Sequence, residues 1–253
     1  MKIEIIPCLK DNYSYIIIDL KNKNTCVVDP SESKPIINFL EKNNLQLNYI
    51  LNTHHHYDHV GGNVELKKKY KAKIVGFEGD CERIPEIDIM LKDGEIWKQD
   101  NFEAKVIHIP GHTLGHICFY FYNENNLFTG DTLFSLGCGR IFEGTYEQML
   151  ASLEKIKKLP PKTKIYCGHE YTLQNSKFCI TYDSENQDLV KKIKDIKEKL
   201  KNNKPTIPST LEDELKNNIF LRSSNEKIKT NLNIDNSSSL ATFSKLRDLK
   251  DNF

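Results

Sequence analysis

Three imidazoles and a carboxylate fall within six residues, His54-His55-His56-Tyr57-Asp58-His59. In the frame H-x-H-x-D-H these side chains are poor core material and good metal donors. Imidazole suits zinc and iron, and a carboxylate adds a harder oxygen. The apolar Tyr49-Ile50-Leu51 precedes the run and Gly61-Gly62-Asn63 follows it, which reads as a buried strand ending in a tight loop ahead of a helix. The bland alternative is a surface histidine tract. Against it, further donors recur at intervals: His112 and His116 in Pro110-Gly111-His112-Thr113-Leu114-Gly115-His116, Asp131 after Leu127-Phe128-Thr129-Gly130, and His169 after Lys164-Ile165-Tyr166-Cys167-Gly168. Each of these runs places apolar residues and a glycine ahead of a ligand-type residue, the pattern of a protein that gathers donors from several strand ends.

The elements that must position these donors divide the chain near residue 172. Residues 1–172 read as strands at 15–18, 25–28, 48–51, 73–75, 102–109 and 117–122, alternating with helices at 35–41, 64–70 and 146–159. In the last helix Met149, Leu153, Ile156 and Leu159 recur at helical spacing. Such a mixture suits a layered α/β domain. Residues 173–253 turn mainly helical. There Leu189, Ile193, Ile196 and Leu200 form an amphipathic stripe among lysines and acids. It is too short to favour a coiled-coil seam over packing within the fold. The Asn-, Ser- and Lys-rich stretch 223–239 reads as loop with little helix.

Composition bounds the function. The chain has 253 residues, 28% of them charged, and a formal net charge of +1, so no global field argues for nucleic acid or a membrane surface. No apolar stretch approaches the roughly 20 residues of a membrane span. Met1 runs directly into the strand-like Lys2-Ile3-Glu4-Ile5-Ile6, so no signal or transit peptide is expected. The seven cysteines form no C-x-x-C pair, the usage of reduced, cytoplasmic thiols. Cys167 lies two residues from His169, yet as a small strand residue it reads as core packing.

The succession H-x-H-x-D-H, P-G-H-T-x-G-H, T-G-D and C-G-H-E resembles the metallo-β-lactamase superfamily. The C-terminal third resembles one of its branches, the glyoxalase II or hydroxyacylglutathione hydrolase family. That second resemblance rests on Gly137-Cys138-Gly139-Arg140, Pro208-Ser209-Thr210-Leu211, Phe220-Leu221-Arg222 and the final Arg247-Asp248-Leu249-Lys250-Asp251-Asn252-Phe253. It implies an α/β fold: a four-layer αββα metallo-β-lactamase sandwich with a smaller C-terminal helical domain. Residues 1–172 are then the metal-binding catalytic domain, and 173–253 the domain that receives a glutathione substrate.

The resemblance also assigns ligands. His54, His56 and His112 hold one divalent ion, Asp58, His59 and His169 hold a second, and Asp131 bridges the pair. Zinc is expected, with iron or manganese possible, since histidine and carboxylate accept all three. His55, His108 and His116 match no ligand position and are expected to be hydrogen-bond partners or fillers. Two cations bring a water's pKa toward neutrality, and the hydroxide so formed, oriented by Asp58 and Asp131, is the expected nucleophile. A thioester suits this chemistry, because a thiol of pKa about 8.5 leaves without a general acid.

For the substrate, Arg140 stands where the family usually has lysine. Arg247 and Lys250 match its two C-terminal basic residues, all three directed at glutathione's glycine carboxylate, and Tyr171 matches a tyrosine that hydrogen-bonds the tripeptide. Phe142 departs from the family's usual tyrosine, a loss of one hydrogen bond of about 0.5–1.5 kcal/mol. The bland reading of Arg247 and Lys250 is a frayed basic terminus. The expected activity is hydrolysis of S-(2-hydroxyacyl)glutathiones, chiefly S-D-lactoylglutathione, by a cytoplasmic monomer with no nucleic-acid or membrane partner. Rival readings are a glutathione persulfide dioxygenase, which lacks the full second-ion set, another hydrolase of the same fold, and a non-catalytic binding module.

Overall fold

In a computed structural model, which describes residues 1–253, the chain forms two compact units. Unit 1 comprises residues 1–108 and 115–130; unit 2 comprises residues 109–114 and 131–253.

Unit 1 opens with strands β1 (Lys2–Cys8), β2 (Asn12–Ile18) and β3 (Thr25–Val28), then helix α1 (Ser33–Lys42), strand β4 (Tyr49–Leu51), and helices α2 (Tyr57–Val60) and α3 (Asn63–Tyr70). Strands β5 (Lys73–Phe77) and β6 (Ile89–Leu91) complete a six-stranded sheet in sequential order. β1, β2 and β3 pair antiparallel, and β3 to β6 pair parallel. Strands buried on both faces need continuous apolar runs, which Tyr15-Ile16-Ile17 and Cys26-Val27-Val28 supply. Ile36 and Leu40 of α1 and Leu66 of α3 pack with Ile16, Val27, Ile50 and Ile74 in one core cluster. Strands β7 (Ile96–Gln99), β8 (Phe102–His108), β9 (Ile117–Phe121) and β10 (Asn126–Gly130) follow as an antiparallel meander. The short β6 and β7 escape a pattern reading because three or four residues are too few to establish a period.

Unit 2 begins with the hairpin β11 (Leu133–Phe134) and β12 (Gly137–Cys138). Helix α4 (Tyr146–Lys157) opens on a capping box made by Thr145 and Gln148, and buries Met149, Leu153 and Ile156. It stops short of the expected Leu159 because Pro160 and Pro161 follow, and the residue before a proline leaves the helical region. Strand β13 (Lys164–Cys167) precedes α5 (Thr172–Tyr182) and α6 (Gln187–Lys201). Strand β14 (Ser209–Thr210), which pairs with β13, is followed by α7 (Leu211–Asn217), α8 (Glu226–Asn231) and α9 (Ser239–Asp251). The stripe of α6 packs on α5 and α7, burying Leu189 and Ile196. Within the expected loop, α8 forms because Asn225 caps it and Ile228 is buried.

One buried acid of unit 2 braces the hairpin beside Asp131. Glu214 Oε2 accepts from the Leu136 N–H at 2.7 Å and from Asn218 Nδ2 at 3.0 Å, and Asn218 Nδ2 also reaches the Gly137 carbonyl at 3.0 Å. Leu136 sits at φ 58, a left-handed turn that a leucine adopts only when held there. Burial pushes the Glu214 carboxyl above its ordinary range. The folded chain thus keeps a proton that the unfolded chain releases above about pH 4.3, and stability falls as pH rises from there toward the raised value. Glu214→Gln preserves the acceptor and removes that dependence. Its melting temperature relative to the parent's should improve between about pH 5 and pH 7.5; a difference that stays constant would show that the carboxyl does not titrate in this window.

Candidate metal centre

In unit 1 the histidine run leaves β4 and enters α2. The loop is pinned from beneath: Asn52 Nδ2 donates to the His59 carbonyl at 3.3 Å, and Asn63 Nδ2 donates to Asn52 Oδ1 at 2.7 Å. A second brace is Asp29, at the end of β3. It accepts from the Thr53 N–H at 2.8 Å, from the Thr53 hydroxyl at 2.7 Å and from His59 Nδ1 at 3.0 Å. Because the Thr53 hydroxyl donates to Asp29, its oxygen is left to accept from His54 Nδ1, 3.0 Å away. Both rings therefore carry hydrogen on Nδ1 and a lone pair on Nε2, the tautomer that ligates through Nε2. His54 lies 4.2 Å from His59 and 4.8 Å from His56, ring centre to ring centre. Asp58 is held by Asn12, whose Nδ2 donates to its carboxylate and its carbonyl, each at 3.0 Å. Asp58 Oδ2 lies 3.7 Å from His59 Nε2.

The donors in unit 2 converge on one carboxylate. Asp131 Oδ2 is 3.2 Å from His169 Nε2 and 3.6 Å from His112 Nε2. His112 Nδ1 donates to the Arg140 carbonyl at 2.8 Å, and a carbonyl only accepts, so in the neutral ring the lone pair lies on Nε2. A lone pair set against a carboxylate oxygen is repulsive unless a cation relieves it. A Cβ at Gly139 would collide with the Asp131 carbonyl oxygen, so that close approach requires glycine. The donor chemistry of both units fits divalent ions of borderline softness that take imidazole together with carboxylate.

The other histidines are engaged differently. His55 Nδ1 pairs with Asp80 at 2.9 Å, and Asp80 is gripped in turn by Arg83. His108 stacks on Phe77 at 4.6 Å, and the buried His116 stacks on His54 at 4.5 Å. Burial pushes the Cys167 thiol up to about 12, which leaves it inert near neutrality. Sequence reasoning overlooked Asp29 and Asn12. The signal for Asp29 was an acid directly after the apolar Cys26-Val27-Val28, in the same strand-end position as the recognised donors. Asp29→Ala should weaken metal affinity by roughly 10–100-fold, as loss of a histidine-orienting carboxylate does. Titration with a chelator measures this, and unchanged affinity would mean that Asp29 serves only the fold.

The residues expected to meet substrate all lie in unit 2. Tyr171 stacks on His169 at 4.6 Å and 3°, and Phe142 sets its edge on His112 at 5.2 Å. Arg140 Nε lies 3.3 Å from Asp251 Oδ1. Lys250 Nζ sits over the rings of Phe253 at 5.0 Å and Phe178 at 5.5 Å. Burial, then the charges of Arg247 and Arg140, lower its pKa. Arg247 and Lys250 belong to α9, so they are no frayed terminus. Arg247 also has a bracing role within the fold. It is 3% exposed, with Nη1 donating to the Cys138 carbonyl at 2.7 Å and Nη2 to Asp251 at 2.9 Å, so its loss would also unbrace the fold.

Comparison with known proteins defines the class first. Residues 10–169 match the metallo-beta-lactamase superfamily model, and the solved structures with the same fold include BLEG-1 B3 metallo-beta-lactamase. That protein is 22% identical with a TM-score of 0.67, covering 87% of this chain and 99% of its own. ETHE1 from Myxococcus xanthus aligns at a TM-score of 0.68 and 20% identity, over 100% of this chain and 91% of its own. Residues 170–253 match the hydroxyacylglutathione hydrolase C-terminus model. The hydroxyacylglutathione hydrolase of Pelagibacter ubique (strain HTCC1062) is 64% identical over the whole of both chains. That of Methylococcus capsulatus is 42% identical over 98% of this chain and 97% of its own. The chain belongs to the hydroxyacylglutathione hydrolase family of the metallo-β-lactamase superfamily, a family of hydrolytic enzymes. Its mixed α/β fold with a helical C-terminal region and its His/Asp groups are those of a protein that takes divalent metal ions.

Proposed function

We propose that this enzyme hydrolyses S-(2-hydroxyacyl)glutathione thioesters, chiefly S-D-lactoylglutathione, to glutathione and D-lactate. The observation that carries the reading is the full-length likeness, at 64% identity, to a hydroxyacylglutathione hydrolase. In the proposed assignment His54, His56 and His112 hold one ion, Asp58, His59 and His169 the other, and Asp131 bridges. Zinc is the proposed metal. The Nε2-ligating tautomers of His54, His59 and His112 support the assignment. When bound, two divalent ions supply a nucleophilic water near neutral pH and polarise a carbonyl.

The chain's own groups do the rest. Asn12 and Asp29 keep Asp58 and His59 in place, and the Arg140 carbonyl fixes the ring of His112. Arg140, Lys250 and the deeper Arg247 provide positive charge for a substrate carboxylate, and the Tyr171 hydroxyl offers a hydrogen bond that Phe142 lacks. A thiolate leaving group needs no acid among these residues. The reading includes a monomer acting in the cytoplasm on a small molecule; its cytoplasmic part is supported by seven cysteines that are all free.

Metal content of the purified protein combined with a thioester panel tests the function, and Lys250→Ala tests the substrate. A charge-assisted hydrogen bond remote from the scissile carbonyl is made equally in ground and transition states, so its loss appears in KM. KM for a glutathione thioester should rise about tenfold, more at low salt, with kcat little changed. A small neutral thioester should be nearly indifferent. Equal damage to both substrates would remove the support for a glutathione carboxylate at this place.

A further inference from the structure

One carboxylate of the chain lies against two of the cations proposed to receive a substrate carboxylate. Asp251 Oδ1 accepts from Arg247 Nη2 at 2.9 Å and lies 3.3 Å from Arg140 Nε, with Lys250 as its neighbour in sequence. Helix electrostatics do not explain an acid here. Asp251 is the last residue of α9, where the partial negative end of the helix disfavours it. Its placement is explained by the cations.

Arg247 does not depend on Asp251 for its position, nor does the Arg140 backbone. Arg247 is fixed independently by the Cys138 carbonyl and by the Phe220 ring, 5.2 Å from its guanidinium carbon. The Arg140 backbone is anchored by His112, and its half-exposed side chain touches Asp251 only through long contacts of 3.3 and 3.4 Å. Removing the charge of Asp251 therefore leaves Arg247 and the Arg140 backbone in place and raises the positive charge that faces a ligand.

We propose that Asp251 is a specificity-determining residue, a built-in competitor whose carboxylate neutralises Arg140 and Arg247 until a substrate carboxylate takes its share of them. This inference rests on the glutathione reading above. Substrate and product carry the same carboxylate, and both must compete with an internal one. Asp251 thus weakens binding of each alike and favours release.

The test uses the metal-loaded enzyme with Asp251→Asn, which keeps an oxygen for Arg247 and loses the charge. Steady-state kinetics with a glutathione thioester should show KM falling by about two- to fivefold, the range of a partly exposed ion pair. Inhibition by free glutathione should strengthen by the same factor. A thioester whose glycine carboxylate is esterified should gain less. A structural role predicts the opposite sign, so a KM that rises or stays unchanged overturns the proposal, as does an equal gain on the esterified substrate. If the Asn variant does not fold, as judged by its circular dichroism, Asp251→Ser is held to the same criteria. The glutathione reading fails separately, in the parent enzyme, if esterifying the glycine carboxylate leaves KM unchanged.

Discussion

Asp131→Ala should release at least one metal ion and remove nearly all turnover. Asp131 is a proposed ligand whose single oxygen Oδ2 stands within reach of two imidazole nitrogens, His169 Nε2 at 3.2 Å and His112 Nε2 at 3.6 Å. A carboxylate has two oxygens and can span the roughly 3.5–4 Å between paired ions; no neutral side chain replaces it. Its removal also leaves the lone pairs of two rings with no bridging anion to hold cations between them. The loss should appear in kcat and in metal content together, because the reacting group is affected rather than substrate binding. Asp131→Asn keeps one oxygen and the hairpin geometry, so it should lose less metal than the alanine variant while remaining strongly impaired. Elemental analysis alongside kcat decides the matter: two tightly retained ions with substantial turnover in Asp131→Ala would sink the binuclear assignment.

Much of this site was legible in the sequence, for physical reasons that differ residue by residue. His54, His56, Asp58 and His59 announce themselves because clustered imidazoles have no use in a core. The strands that end at the donors were legible from apolar runs such as Thr25–Val28, whose predicted bounds match β3. The bracing residues were not. Asp29, Asn12 and Glu214 lie 30, 46 and 78 residues from the groups they hold, counting Asp29 to His59, Asn12 to Asp58 and Glu214 to Leu136. No local period encodes a partner at that separation; only the folded chain brings them together. Arg247 shows the converse limit. Its cation was visible, but a sequence does not reveal that α9 turns the guanidinium inward, where the Cys138 carbonyl takes one of its donors. The compact units also part around residues 109–114, inside a stretch that by pattern reads as one strand and turn.

Alanine at His54, His56, His59, His112 or His169 should lower metal occupancy, and alanine at His55 or His108 should not do so to a comparable degree. The six-residue run offers two registers, since His55 is as good a donor as either neighbour in chemistry alone. Geometry separates them. His55 Nδ1 is turned to Asp80, whose side chain is buried and already gripped by Arg83, so this ring belongs to a separate ion-paired cluster. His108 lies flat on Phe77 and is a stacking partner. His54, by contrast, is held by Thr53 in the tautomer that presents Nε2, and its ring lies 4.8 Å from that of His56. His116 should fall between the two groups. It is stacked against His54 at 4.5 Å, so its loss frees a ligand to tilt, with an effect up to roughly 10–100-fold in affinity. Metal content after identical purification, followed by competition with a chelator, ranks the series. An occupancy loss for His55→Ala equal to that for His56→Ala would show that the motif had been read in the wrong register, and the assignment of the first ion would have to move one residue along the chain.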